Sequence, residues 1–474
     1  MTKMLGVQEE PAIYKVLASR MATERRALRS LGRWSGGGTP SKSNPAFWSG
    51  GTIPWVSPKD MKLARISDAE DHITPEAVAR SATSLIKAGA VVLVVRSGIL
   101  QHSLPVAVTD VDVALNQDLK ALQPSAGVDA TYVAWALRAH AQAILRLCTK
   151  AGTTVQSIEM PALLDYEIPL PSAERQREVV ETVEARLSVL DASVAALHRV
   201  QANQQRYRAS VLKSACEGRL VPTEAELAHQ ENRDFETGAQ LLRRILAARR
   251  ARVSGRSKYK EPSTPAAIHL SDAPEGWAWS NVDQLAEVGT GATPKRDVQA
   301  FYEGGHIAWV TSGAVNGEYV DQASEFVTER ALAETNLSVY PPGTLLLAMY
   351  GEGKTRGRCS ELRIAATTNQ ALAAIQAAEP VRRYLRLLLE RSYEETRKAA
   401  SGGVQPNLNL SLVRAIAVPL PPLAEQHRIV AEADRRLSLI RVAEAQVAAN
   451  LARAQRLRQS ILQAAFRTPA QARQ

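Results

Sequence analysis

Gly36-Gly37-Gly38-Thr39-Pro40, then Phe47-Trp48-Ser49-Gly50-Gly51, then Ile53-Pro54-Trp55-Val56: this stretch decides the fold, because the chain writes it twice. Thr293-Pro294, Phe301-Tyr302, Gly304-Gly305 and Ile307-Ala308-Trp309-Val310 follow at a constant offset of 254 residues. Further out, Gly89 before Val91–Val95 matches Gly343 before Leu345–Met349, and Asn116-Gln117 matches Asn369-Gln370. The offset then settles at 250, where Pro169-Leu170-Pro171, Gln176 and Leu187-Ser188 match Pro419-Leu420-Pro421, Gln426 and Leu437-Ser438. Register that drifts across loops and holds inside elements marks a duplicated domain.

Each copy has two textures. Residues 28–171 and 271–421 carry short apolar, β-branched runs between Gly, Pro and Ser, which read as strands. Residues 173–217 and 423–466 have no Pro, almost no Gly, and abundant Ala, Glu, Gln and Arg, which reads as one long helix each. The second holds Leu437, Ile440, Glu444, Val447, Leu451, Ala454, Arg458 and Ile461 at alternating steps of three and four. Leu187, Leu190, Val194, Leu197, Gln201, Gln204, Arg208 and Val211 keep the same register in the first. A helix about 65 Å long with one apolar stripe needs a partner, so the two are expected to pack together. Two unrelated surface helices are the alternative, and the shared register speaks against it. Between the copies, residues 219–270 read as a short amphipathic helix around Leu241–Ile245, then a flexible basic linker with Arg249-Arg250-Ala251-Arg252. Those charges are either a solvated face or a phosphate contact.

The 474 residues contain 58 Lys plus Arg against 48 Asp plus Glu, a net charge of +10. Such a balance favours a polyanionic partner, nucleic acid or an acidic membrane surface. The cysteines Cys148, Cys216 and Cys359 lie far apart with no Cys-x-x-Cys, which points away from a zinc site or disulfide framework and toward the cytosol. Glu9 and Glu10 interrupt the N-terminus where a signal peptide is apolar, and the longest apolar run, Ala88–Val95, is under half the ~20 residues of a membrane span. A soluble, cytoplasmic, multidomain protein is expected.

Catalytic motifs do not assemble. Ala348-Met349-Tyr350-Gly351-Glu352-Gly353-Lys354-Thr355 follows a strand and fits a relaxed phosphate loop, but such a loop must open a helix whose amides hold the phosphates. Arg356-Gly357-Arg358-Cys359 is a poor helix start, and the equivalent Arg96-Ser97-Gly98-Ile99 has no Lys-Thr. Lys354, Arg356 and Arg358 read better as a basic loop facing DNA. No His-x-x-x-His pair, Gly-x-Ser-x-Gly elbow or Gly-x-Gly-x-x-Gly strand-turn is present. Two similar halves without these motifs argue for a binding protein.

The stretches Gly36–Lys42 and Ile53–Met61 resemble the opening of a target-recognition domain in the specificity subunits of type I restriction–modification systems, and Pro274-Glu275-Gly276-Trp277 resembles the start of a second. Ile168–Pro171 with Gln176, and Val418–Pro422 with Glu425-Gln426, resemble that family's approach to its long helices. Gly218–Pro222 and Tyr259–Pro262 fit its central region. The first copy departs by lacking Pro-Glu-Gly-Trp, and Met21 is an alternative start.

The resemblance implies an α+β protein: two similar target-recognition domains joined by two long antiparallel helices in a coiled coil, with internal duplication and pseudo-two-fold symmetry. The expected divisions are an N-terminal extension 1–27, recognition domain 28–171, helix 172–218, central region and basic linker 219–270, recognition domain 271–421, helix 422–467 and tail 468–474. It also implies a subunit with no catalytic site, whose domains each read one half of a split, asymmetric double-stranded DNA target. Its helices would dock two modification (methyltransferase) subunits, to which restriction (endonuclease) subunits can join. S-adenosylmethionine, ATP and Mg would then belong to those partners, with no cofactor and no metal in this chain. A coiled-coil scaffold and a phosphate-loop nucleotidase are the rival readings.

Candidate DNA contacts follow the central strand of each domain: Arg96, Gln101 and His102 in the first copy, Lys354, Arg356 and Arg358 in the second. A strand end leading into a polar loop can present bidentate groups to base edges, though any one of these residues can equally be solvated surface. Lys42, Lys59, Lys295 and Arg296 are expected at phosphate, which positions without specifying. Trp55 and Trp309 are expected in the core, and Asn116-Gln117 and Asn369-Gln370 in a structural turn or a shared backbone contact.

Overall fold

The Pro-free stretches each fold as one helix, Ala173–Cys216 and Leu423–Phe466, 44 residues apiece. Pro171 and Pro421 hold the approach to each extended. Gly218 ends the first by taking φ +68°, and Arg219 N–H returns to the Ser214 carbonyl at 3.0 Å. The computed structural model describes residues 24–150, 155–252, 260–265, 273–350, 355–399 and 408–466. Among them no helix is long and apolar enough to cross a membrane.

The chain divides into two compact units, residues 1–198 with 448–474 and residues 199–447. Each takes one α+β domain, the first half of one long helix and the second half of the other. In the first unit Val179 and Val183 lie beside Ile461 and Ala465, and Asp191 pairs with Arg458, so the two segments run in opposite directions. In the second, Val211, Leu212 and Ala215 share a core with Ile429, Val430 and Ala433. The heptad positions are the shielded ones, with two exceptions. Gln201 is exposed, and Arg458 is exposed in reaching the Asp191 carboxylate.

The domains repeat one topology. In the first, a five-stranded sheet runs in the order Gly32–Gly36, Leu119–Pro124, Val91–Val94, Val106–Thr109, Arg65–Ile66. In the second the order is Glu287–Thr290, Leu372–Gln376, Leu345–Ala348, Cys359–Leu362, Tyr319–Val320. Val91–Val94 and Leu345–Ala348 are buried throughout, as a continuous apolar run at a sheet's centre requires. A smaller sheet carries Ile53–Val56 in one copy and Ile307–Val310 in the other, each with one antiparallel and one parallel neighbour.

Where domain meets helix, both copies satisfy the proline carbonyls the same way. The buried Tyr132 hydroxyl donates to the Pro169 carbonyl at 2.8 Å, and Tyr384 to Pro419 at 2.8 Å. The buried Gln176 amide donates to Pro171 at 2.8 Å, and Gln426 to Pro421 at 2.9 Å. Neither tyrosine stood out in the repeat.

Two expected boundaries move. Arg25–Ala27 forms a strand paired with Glu167–Pro169, so the first domain begins earlier than residue 28 because its edge closes the ribbon before the helix. The described residues of 219–270 hold two helices rather than one, Glu224–Glu231 and Gly238–Arg252. Thr223 opens the former through a reciprocal cap with Glu226.

Tyr384→Phe leaves the Pro419 carbonyl without its buried donor. The expected cost is about 1–3 kcal/mol, read as a lower denaturant midpoint at unchanged m-value.

Candidate nucleic-acid interface

The repeated Gly-x-Thr-Pro stretch is a strap tied down at equivalent points in both domains. A Cβ on Gly37 would sit 2.1 Å from the Leu115 carbonyl oxygen and one on Gly291 1.5 Å from that of Thr368, so only glycine allows the approach. The Trp55 indole donates to the Gly38 carbonyl at 3.0 Å, and Trp309 to Ala292 at 3.1 Å. The Thr39 hydroxyl bonds Gln117, and Thr293 bonds Gln370. Asn116 accepts from the Asp118 amide at 3.0 Å and Asn369 from that of Ala371 at 3.2 Å. Trp55 and Trp309 are buried, and the Asn-Gln pairs make the turn that anchors the strap.

That turn also meets the end of the central strand. The Val95 amide donates to the Asp118 carbonyl at 2.8 Å, and the Met349 amide to the Ala371 carbonyl at 2.8 Å. Strap and strand-end connection therefore share one end of each domain. Gln101 and His102 lie exposed there, closing the short helix Gly98–Gln101. Arg356 and Arg358 occupy the equivalent connection, in the turn that leads into Cys359–Leu362. Lys354 lies outside the described residues. After Thr355 the chain turns and returns as a strand antiparallel to Leu345–Leu347, so no helix opens there to hold phosphates.

The cations divide by what already neutralises them. Lys42 and Lys295 are exposed on the strap and pair with no described residue. Arg296 is instead bound to Glu325 at 2.5 Å and lies 5.0 Å and 4.9 Å from the Tyr302 and Trp309 ring centroids. The hydrogen bond to Glu325 raises its pKa. Lys59 bridges Asp71 at 3.0 Å and Glu70 at 3.1 Å, and those bonds raise its pKa. Arg96 is bound to Asp118 at 2.6 Å. Arg358 donates to the Asn316 carbonyl at 2.8 Å and faces Tyr393.

Lys59 and Arg296 thus each pair with carboxylates of their own domain, which Lys42 and Lys295 do not among the described residues. Asp71 and Glu325 occupy equivalent positions and are neutralised from different loops, by Lys59 in one copy and by Arg296 in the other. Asp118, which orients Arg96, escaped sequence reading. The signal available was an acid two residues beyond Asn116, where the second copy has Ala371.

A duplicated α+β domain with polar and cationic groups at one end of each sheet, and a long helix rooted at the other strand ends, defines a two-site binding architecture. The family model for the type I restriction modification DNA specificity domain matches residues 23–204 and 274–435, and the chain belongs to that family. The type I restriction enzyme EcoR124I/EcoR124II specificity subunit of Escherichia coli is 38% identical over 185 residues, which cover 39% of this chain and 46% of that relative. The chain thus spans about half the length of that relative. The type I restriction enzyme MjaIX specificity subunit of Methanocaldococcus jannaschii is 22% identical over 404 residues, 84% of this chain and 82% of that one. A solved chain from work on complex assembly and conformational transition of the type I R-M system has the same fold, with TM-score 0.64 and 18% identity over 94% of this chain and 98% of that one.

The two strap cations of the second domain should separate by assay. Lys295→Ala is expected to lower the salt slope of DNA binding by about one. Arg296→Ala should leave the slope unchanged and lower the Tm, because its charge is already committed to Glu325.

Proposed function

We propose that this chain is the sequence-recognition subunit of a type I restriction–modification complex, each α+β domain reading one half of a bipartite, asymmetric DNA target. One observation carries the reading. The strap and turn are the same in both domains, while the polar groups at the equivalent connection differ, the exposed Gln101 and His102 against the half-buried Arg358. A common scaffold with different polar ends suits two half-sites of different sequence. Lys42 and Lys295 suit phosphate.

In this reading the chain performs no chemistry, and works in the cytoplasm where the DNA is. S-adenosylmethionine, ATP and Mg serve modification and restriction subunits that join it. The long helices form an antiparallel coiled coil with pseudo-two-fold symmetry, set the spacing between half-sites, and dock two methyltransferase subunits. Exposed apolar side chains support that docking because they recur on both helices at the 250-residue offset. Val189 is 69% exposed and Leu439 62%, with Val442 at 69% one turn further.

Replacing residues 28–171 with another recognition domain should change one half of the methylated sequence and leave the other. Mapping methylated adenines reads this directly, and joint change of both halves would contradict the two-reader model. Inserting four residues after Gln201 adds roughly 6 Å and about one helical turn, so the apolar stripe stays near phase. The same half-sites with a spacer about one or two base pairs longer are expected. Two inserted residues should instead abolish assembly or activity, and an active four-residue variant with its old spacer would refute the ruler.

A further inference from the structure

The second halves of the long helices carry charge of one sign. Residues 192–216 contain Arg199, Arg206, Arg208 and Lys213 and no Asp or Glu. Arg208 is neutralised by Glu390 at 2.7 Å. Arg199, Arg206 and Lys213 are exposed, pair with no described residue, and recur every seven residues along one line of the helix. Exposed cations on a helix are ordinarily interspersed with acids, and their absence over this length leaves the field of these three uncompensated on their own element.

Arg206 adds a second, independent observation. Within the second unit it lines a cleft of about 950 Å³ together with Asn316, Gly317, Arg358 and Tyr393. Arg358 is the reading-end cation held by the Asn316 carbonyl, so one cleft receives a cation from the helix and one from the recognition domain. The acids lining it are largely spent. Glu318 binds Arg386 at 2.6 Å and also Arg441, Glu390 binds Arg208, and Asp434 binds Arg383 at 2.6 Å. Glu444 remains, one carboxylate against Arg206 and Arg358. The helix position repeats as well. Arg456, at the 250-residue offset from Arg206, is exposed, pairs with no described residue, and lies in a stretch, 445–466, again without Asp or Glu.

We propose that Arg206 grips a backbone phosphate of DNA flanking the second half-site, inside the cleft it shares with Arg358, and that Arg456 does the same for the first. This rests on the DNA-recognition reading above. It adds that the helices hold the duplex directly, through contacts blind to sequence. A guanidinium suits the task because its planar fork meets two phosphate oxygens at once. Such contacts position the duplex and contribute affinity, leaving base preference to the connections at the sheet ends.

The test uses the full-length chain and a duplex bearing the target found by methylation mapping, with equilibrium binding measured from 50 to 200 mM salt. Arg206→Gln should flatten the log–log salt slope by ~0.9, so that wild type loses ~3.5-fold more affinity than the variant across that range. Arg206→Lys should restore the slope, and the preference for target over scrambled duplex should be unchanged in both. Neutral methylphosphonates placed beside the second half-site should weaken wild type and leave Arg206→Gln indifferent. An unaltered slope together with an unaltered methylphosphonate response overturns the proposal. Weaker co-purification with the methyltransferase subunit at an unaltered slope also overturns it, by making Arg206 a protein contact. If wild type itself fails to prefer its target over a scrambled duplex, the DNA-recognition reading falls first.

Discussion

A proline-rich strand that hands over to a 44-residue helix leaves carbonyls facing the core with no neighbouring strand or turn to serve them. Burying a carbonyl unpaired costs on the order of 1–3 kcal/mol, so the junction folds only where donors arrive from elsewhere. Tyr132 and Gln176 supply them in one copy, Tyr384 and Gln426 in the other. Each tyrosine stands on the helix that backs its own domain's sheet, and each glutamine on the long helix. The pair of bonds therefore fixes the direction in which the long helix leaves the domain. The second copy reinforces the junction. The Trp277 indole donates to the buried Glu425 carboxylate at 3.0 Å, whose other oxygen accepts from the Glu224 amide at 2.9 Å. Burial raises the Glu425 pKa, and those two donors act against that shift.

What could be read in advance was whatever obeys short-range periodicity or recurs between copies. The duplication, the long helices, the central strands, the buried tryptophans and the Asn-Gln turns all have that character. Contacts between residues far apart in sequence did not show, because nothing in local composition encodes which strands become neighbours. Arg296 is 29 residues from Glu325, and Tyr384 is 35 from Pro419. The strand Arg25–Ala27 was missed for the same reason, since its only warrant is its partner Glu167–Pro169. Candidate cations were legible as charges and illegible as free or paired, and that difference separates Lys295 from Arg296.

The paired cations show how a duplicated scaffold can diverge at constant fold. An acid at the position of Asp71 and Glu325 sits beside the strap in both copies, and needs a counter-charge in each. The first draws it from the turn at Lys59, which leaves Lys42 open; the second draws it from Arg296 and leaves Lys295 open. Open charge is thereby relocated by one residue along the strap while every backbone tie is kept. If the open lysine meets phosphate as proposed, this displacement would change where the backbone of a bound duplex is held, with no change in the bases a nearby loop can reach.

In the proposed reading this division of labour extends to affinity. Bidentate contacts to base edges are each worth about 1–3 kcal/mol of discrimination, and a loop bearing Gln101 and His102, or Arg358, can make only a few. Most of the binding free energy must then come from contacts that ignore sequence and fall away with salt. A chain of net charge +10 that consumes many of its cations in internal ion pairs has few to spare for that purpose. Among the described residues, the ones left open include Lys42 and Lys295 on the straps and Arg199, Arg206, Lys213 and Arg456 on the acid-free halves of the long helices. Those are parts the two copies share, while the connections that would choose bases are where they differ. Affinity and specificity can therefore change separately, because they reside on different elements of the same domain.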